Sequence, residues 1–229
     1  MKAIILAGGF GTRLAHISGD KPKPLAEVAG KPILERQINF LLSHGIDDIR
    51  LSLHHKADLI IEFCENRWPG QFEYVVEPKP LGTGGGLKFA SKGIADDFLV
   101  VNADDILRDI DIKKLVSLGA NTVVCASVTD VRAFGLVNIQ GERIVAFSEK
   151  PKELVSGYVS SGWYLLHPNV FDYVSQEAFM IERDVFPMLA QKGLLRAFLH
   201  DSYWMPVGTE DKFNQANHDY ATGVVNDNK

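Results

Sequence analysis

The chain has 229 residues, 46% of them hydrophobic and 23% charged, with a net charge of −5. That length can bury a substantial core in one compact domain, and an acidic balance with no clustered basic face argues against a nucleic-acid partner. No apolar run approaches the roughly 18 residues of a membrane span. The first strand begins without a charged leader or cleavage site, so a cytoplasmic protein with no membrane partner is expected. Cys64 and Cys125 sit in apolar segments and read as buried free thiols, not as a disulfide or a metal site.

In chain order, the apolar run 2–6 predicts a strand that opens into a turn carrying Gly8, Gly9 and Gly11, then Thr12 and Arg13, with Lys23 close behind. A helix is predicted from Pro32, near its N1 position, to Gly45, with Ile33, Ile38, Leu41 and Leu42 on or near one face. Strands follow at 48–53, 72–76, 98–102 and 122–127, with a helix at 85–92 closed by Gly93. This alternation predicts an α/β fold with a mostly parallel sheet and helices on both faces. From Val131 the texture changes: 136–139 and 144–147 flank Gln140-Gly141 as a β-hairpin, and 158–166 forms a further strand. Helical patterns resume at 169–174, 182–192 and 210–221, the last suited to packing or to a homo-oligomer. No repeat or linker interrupts 1–229, which reads as a single domain.

The glycines of the first turn can adopt positive φ and leave backbone N–H groups open to phosphate oxygens. Arg13 adds a forked cation. The turn is not a Walker loop, because no Gly-Lys-Ser/Thr closes it, and Leu14 stands where a dinucleotide fingerprint needs its third glycine. The strand at 48–53 also ends in His54-His55, not in the acid that would bind a ribose hydroxyl. A triphosphate-holding loop fits better than a nicotinamide site. Asp104 follows the apolar run 98–102 and so falls at a strand's carboxyl end, where ligands of open α/β sheets bind.

Gly8-Gly-x-Gly-Thr-Arg-Leu14 with Lys21-Pro-Lys-Pro24 resembles the signature of the sugar-1-phosphate nucleotidyltransferases, the NDP-sugar pyrophosphorylases. Further pieces stand in the family's order: Leu81-Gly-Thr-Gly-Gly85, Asn102-Ala-Asp104, Phe147-Ser-Glu-Lys-Pro151, Ser161-Gly-Trp-Tyr164 and Trp204-Met-Pro-Val-Gly-Thr209. The resemblance covers essentially the whole chain. It implies the nucleotide-diphospho-sugar transferase fold, a Rossmann-like three-layer sandwich with a mostly parallel mixed sheet and a small β-rich sugar-binding subregion. Residues 1–130 would mainly bind nucleotide, and 131–229 mainly sugar phosphate.

The implied reaction joins a nucleoside triphosphate to a sugar 1-phosphate and expels pyrophosphate. Both reactants are anions, so the protein must supply cations and alignment, not a covalent nucleophile. By resemblance, Arg13 would hold the leaving pyrophosphate, Lys23 the α-phosphate, and Lys150 the incoming sugar phosphate. Asp104 would bind Mg²⁺, a hard cation that commonly takes one or two carboxylates plus substrate phosphates; Asp105 beside it would share or compete. Leu6, Ala7, Gly8 and Glu77 are implied at the base. Gly9, Gly11, Thr12, Gly82 and Thr83 would complete the nucleotide site, with Gly84 and Gly85 letting the backbone approach the nucleoside or simply making a tight turn. Gly135, Glu149, Ser161 and Gly162 join Lys150 around the sugar phosphate, Glu149 reading either as an acceptor for sugar hydroxyls or as a plain hairpin-end charge.

Two departures from the family pattern stand out. Pro206 occupies the place where many relatives carry an aspartate that completes the metal site, leaving Asp104 alone or with a substitute such as Asp201 or Glu182. Ser161 replaces a frequent asparagine, and a hydroxyl reaches less far than an amide. An ionised Glu77 is acceptor-only and suits the paired N–H donors of guanine better than uracil or thymine. The resemblance therefore points to the compact guanylyltransferases acting on D-glycero-α-D-manno-heptose 1-phosphate or mannose 1-phosphate. A uridylyltransferase for a hexose or amino-sugar phosphate is the nearest enzymatic alternative, and a non-catalytic nucleotide-sugar-binding regulator is the alternative of another class.

Overall fold

A computed structural model describes residues 1–148 and 154–227. Its strands are β1 (Ala3–Leu6), β2 (Glu27–Val28), β3 (Lys31–Pro32), β4 (Ile49–Leu53), β5 (Glu73–Val76), β6 (Phe98–Asn102) and β7 (Asp105–Leu107), then β8 (Thr122–Val128), β9 (Leu136–Gln140), β10 (Arg143–Ser148), β11 (Gly157–Leu166), β12 (Arg196–His200) and β13 (Trp204–Pro206). The helices are α1 (Ala15–Ser18), α2 (Ile33–Ser43), α3 (Ala57–Arg67), α4 (Gly82–Ala90), α5 (Ile112–Ser117), α6 (Phe186–Gln191) and α7 (Glu210–Ala221). Two compact units result. One comprises Met1–Pro80, Val101–Asp109 and the chain from Tyr203 onward, and the other comprises Leu81–Val100 and Ile110–Ser202.

In the first unit β1 is apolar and buried at Ala3, Ile4 and Ile5, as a strand covered on both faces must be. It pairs in parallel with β4, Leu6 opposite Ser52, and β4 pairs in parallel with β5, Leu53 opposite Val76. The amide of Ala103 donates to the carbonyl of Leu6 (3.0 Å), bringing the end of β6 to the same edge. The carboxyl ends of four strands thus share one edge, from which Gly8, His54, Glu77 and Asp104 all depart. Helix α2 buries Ile33, Leu34, Ile38 and Leu41, and Gly45 with φ 73° ends it. Helix α7 serves packing: Ala216 joins Leu14, Val28, Ile33, Ile106 and Val207 in one apolar cluster.

In the second unit β8 lies between β11, antiparallel to it, and β12, parallel to it. Strand β10 runs antiparallel to both β12 and β9, completing the expected hairpin around Gly141, which has φ 60°. Strand β11 carries an irregularity: Ser160 faces Cys125 and Tyr164 faces Val123, so Ser161, Gly162 and Trp163 stand opposite Val124 alone. Gly162 permits it with φ 80°.

Several elements differ from the sequence expectation. Helix α4 starts at Gly82, inside the glycine motif, because the segment around Phe179 packs against those glycines. Residues 168–173 form a 3₁₀ turn, and the helix expected at 182–192 opens with a π-helical turn over Ile181–Val185 before α6. The ribbon of β7 and β13 has no sequence signal, since its strands are three residues long and one ends in Pro206. Both cysteines are buried free thiols, and burial pushes each up to about 12.

Candidate active site

The first unit builds its turn from the backbone outward. The amide of Ala7 donates to the carbonyl of Ser52 (2.8 Å), so β1 keeps its register to the start of the turn. Gly8 then passes so close to β4's end that an added Cβ would lie 3.1 Å from the His54 nitrogen. Gly9 has open space beside it. Gly11 has φ 61°, and a Cβ there would come within 2.7 Å of the Cβ of Lys23. The absent side chain at Gly11 is what lets Lys23 close on the turn. Thr12 and Arg13 follow in an exposed 3₁₀ turn anchored by buried Leu14. Arg13 lies over Gly208, where a Cβ would sit 3.6 Å from its Nη2.

Lys23 Nζ donates to Asp104 Oδ2. The lysine side chain is 10% exposed and the aspartate 38%, so the pair is half-buried with its carboxylate reaching solvent. The backbone carbonyl of Asp104 accepts from the Val207 amide (2.8 Å), which ties the Val207-Gly208-Thr209 segment to the same turn. Asp105 has a different environment. It is buried, and burial first, then the neighbouring Asp104 charge, pushes its carboxyl well above the usual carboxylate range, although Asn102 and Trp204 hydrogen-bond to it. Of the two adjacent carboxyls, that of Asp105 is buried and that of Asp104 reaches solvent. Pro206 pairs with Asp105 across the ribbon and offers no side-chain oxygen.

The donor set suits Mg²⁺ in one respect: Asp104 presents a hard carboxylate at a strand's carboxyl end, and the ion commonly completes its shell with substrate phosphates and water. Among the described residues no group of three or more His, Cys, Asp or Glu gathers to hold an ion by itself. Glu77 is buried at 8% exposure, not a surface acid, and accepts from the hydroxyl of Ser52 (3.4 Å). Its backbone carbonyl lies 3.0 Å from His54 Nδ1.

In the second unit the glycine motif is filled by protein. A Cβ on Gly82 would meet the Phe179 carbonyl at 2.5 Å, one on Gly84 the Phe179 ring at 2.2 Å, and one on Gly85 the Glu177 carbonyl at 2.4 Å. The amides of Gly84 and Gly85 both donate to the Phe179 carbonyl, at 3.0 and 3.2 Å. Close packing of chain on chain accounts for these glycines. Thr83 Oγ1 donates to Glu182 Oε2 (2.6 Å) and accepts from the Ile181 amide (3.1 Å), while Tyr164 OH donates to Glu182 Oε1 (3.1 Å). Glu182 therefore joins the Leu81–Gly85 and Ser161–Tyr164 motifs, each of its carboxylate oxygens accepting one of these hydroxyls. Ser161 is fully buried within the β11 irregularity, and Gly162 supplies the turn. Gly135 is exposed just before β9. Glu149 and Lys150 lie outside the described residues.

Sequence reasoning missed Gln37. It stands on the apolar face of α2, four residues after Ile33 and before Leu41, and an amide amid that stripe is the signal that could have found it.

The chain matches the nucleotidyl transferase family over residues 2–223. It is 32% identical to a mannose-1-phosphate guanyltransferase from Aspergillus oryzae, with 100% of this chain and 66% of the relative covered. It is also 32% identical to one from Saccharomyces cerevisiae, with 93% and 63% covered. It thus spans just under two thirds of those relatives' length. Among solved structures, HddC from Yersinia pseudotuberculosis, crystallised with GMP-PN, superposes with a TM-score of 0.82 at 33% identity, covering 95% of this chain and 98% of that one. A UDP-glucose pyrophosphorylase from Acinetobacter baumannii shares the fold at a TM-score of 0.80 and 21% identity, covering 95% and 92%. The fold is accordingly that of the nucleotide-diphospho-sugar transferases, and with a family match running nearly from end to end, the chain belongs to the nucleotidyl transferase family.

Proposed function

We propose that this chain transfers a nucleoside monophosphate from a nucleoside triphosphate to a sugar 1-phosphate, releasing pyrophosphate, with GTP and either mannose 1-phosphate or D-glycero-α-D-manno-heptose 1-phosphate as substrates. The observation that carries this reading is the Lys23–Asp104 pair, set at the strands' carboxyl edge against the open glycine turn and Arg13. The names of the guanyltransferase relatives support the choice of GTP. Buried Glu77, an acceptor with no donor of its own when ionised, fits the paired N–H groups of guanine.

A phosphate oxygen of the sugar 1-phosphate attacks the α-phosphorus in line. As that bond forms, the bond from the α-phosphorus to the bridging oxygen breaks, and its electron pair leaves with pyrophosphate. Arg13 and the turn amides hold the departing phosphates, and Lys23 turns from Asp104 to the α-phosphate, where negative charge must be stabilised. Leu6, Ala7 and Gly8 line the base. The Ala7 amide is committed to Ser52, so its contribution there comes from its carbonyl or its surface. Mg²⁺ on Asp104 would neutralise phosphate charge. Lys150, Glu149, Gly135 and Gly162 are assigned to the sugar phosphate, and the reaction is assigned to the cytoplasm.

The test is to supply each of the four nucleoside triphosphates with a panel of sugar 1-phosphates and Mg²⁺, then measure pyrophosphate and nucleotide sugar. Preference for GTP supports the proposal, and equal use of UTP removes Glu77 as a guanine reader. Pro206 favours one second reading, a regulator that binds nucleotide sugar without turnover. Nucleotide binding with neither product, across the whole panel, would establish it.

A further inference from the structure

We infer that Gln37 is a positioning residue for the Asp104 carboxylate, an inference that rests on the nucleotidyl-transfer reading. Gln37 is 1% exposed, and its Nε2 donates to the backbone carbonyls of Asn102 (2.6 Å) and Asp105 (2.7 Å). Those carbonyls stand on either side of Asp104, two residues before it and one after. One amide group therefore holds both legs of the turn that presents the carboxylate. The Ala103 amide to Leu6 and the Val207 amide to the Asp104 carbonyl complete the fastening. Two of these four ties come from a single side chain on α2.

Gln37 makes these bonds at a cost. Its Oε1 is buried without a hydrogen-bond partner, and a buried lone pair left bare is unfavourable. An apolar side chain of similar shape would remove that cost and also strip the two carbonyls of their donor. What the amide uniquely supplies is the spacing between Asn102 and Asp105. A carboxylate that must hold a cation against a phosphate works only within about 0.5 Å of its productive position.

The full chain carrying Gln37→Leu, and separately Gln37→Asn, tests this. Asparagine keeps the polarity and shortens the reach, so it carries the test if the leucine variant does not fold. Mn²⁺ standing in for Mg²⁺ is titrated by electron paramagnetic resonance with a non-hydrolysable GTP analogue present, alongside thermal melts and steady-state kinetics. The expected result is a folded variant whose Mn²⁺ affinity and kcat each fall about 10- to 100-fold, with an unchanged KM for the sugar phosphate and partial recovery of rate at raised metal. Wild-type Mn²⁺ affinity and kcat in a folded variant overturn the positioning role while leaving the reaction intact. A wild-type chain that makes no nucleotide sugar from any substrate pair overturns the underlying reading, and this inference with it.

Discussion

The two glycine-rich turns look alike in sequence and are put to opposite uses. At Gly8–Gly11 the missing side chains leave room for the backbone to pass β4 and for Lys23 to close in, while Arg13 stays exposed and Gly9 has open space. At Gly82–Gly85 the missing side chains are occupied by the chain's own Phe179 and Glu177. The first turn leaves open space beside its cations, and the second packs against the chain and holds Glu182 beside Thr83 and Tyr164. Glycine content alone therefore does not identify a cradle. What identifies it is whether cations face the space that the glycines leave.

Substitutions can break or sharpen that contrast. The largest effect is expected from Lys23→Ala, which should lower kcat by about 10²–10³ or more, the scale of losing one donor to transition-state charge; unchanged turnover measured by pyrophosphate release would remove Lys23 from the chemistry. Gly11→Ala comes next. It forces a left-handed φ on an L residue and drives a Cβ into Lys23, and a displacement of that kind costs on the order of 10²-fold in kcat. Gly84→Ala should act on folding instead, lowering stability by about 1–3 kcal/mol through overpacking against Phe179, with kcat per folded molecule retained. A normal melting temperature combined with a raised KM for GTP would make the second turn a cradle too. The smallest effect is expected from Pro206→Asp, which supplies the carboxylate many relatives carry and should lower the Mg²⁺ concentration needed for half-maximal rate. No change in that requirement would mean that position 206 does not reach the ion.

Much of the framework was legible because its signals are local. Apolar runs of four residues marked β1 and β6, alternating apolar residues marked β4, and the motif at 8–23 placed cations beside glycines within one short stretch. The environment of Asp105 was not legible. Its burial follows from pairing with a strand about 100 residues later, and nothing in Asn102-Ala-Asp-Asp105 says which of two adjacent carboxylates faces solvent. Glu182 was hidden in the same way, since Thr83 lies 99 residues before it. The burial of Ser161 was not legible either, since the irregularity in β11 around it arises only when β11 is set against β8.

The central claim is that the α-phosphorus is the atom transferred. GTP labelled with ³²P at the α position, incubated with mannose 1-phosphate or the heptose 1-phosphate and Mg²⁺, tests it most directly. The account predicts that the label appears in a nucleotide sugar while unlabelled pyrophosphate is released. Label confined to GTP or GMP, or transfer to the sugar of γ-label and not α-label, would contradict it.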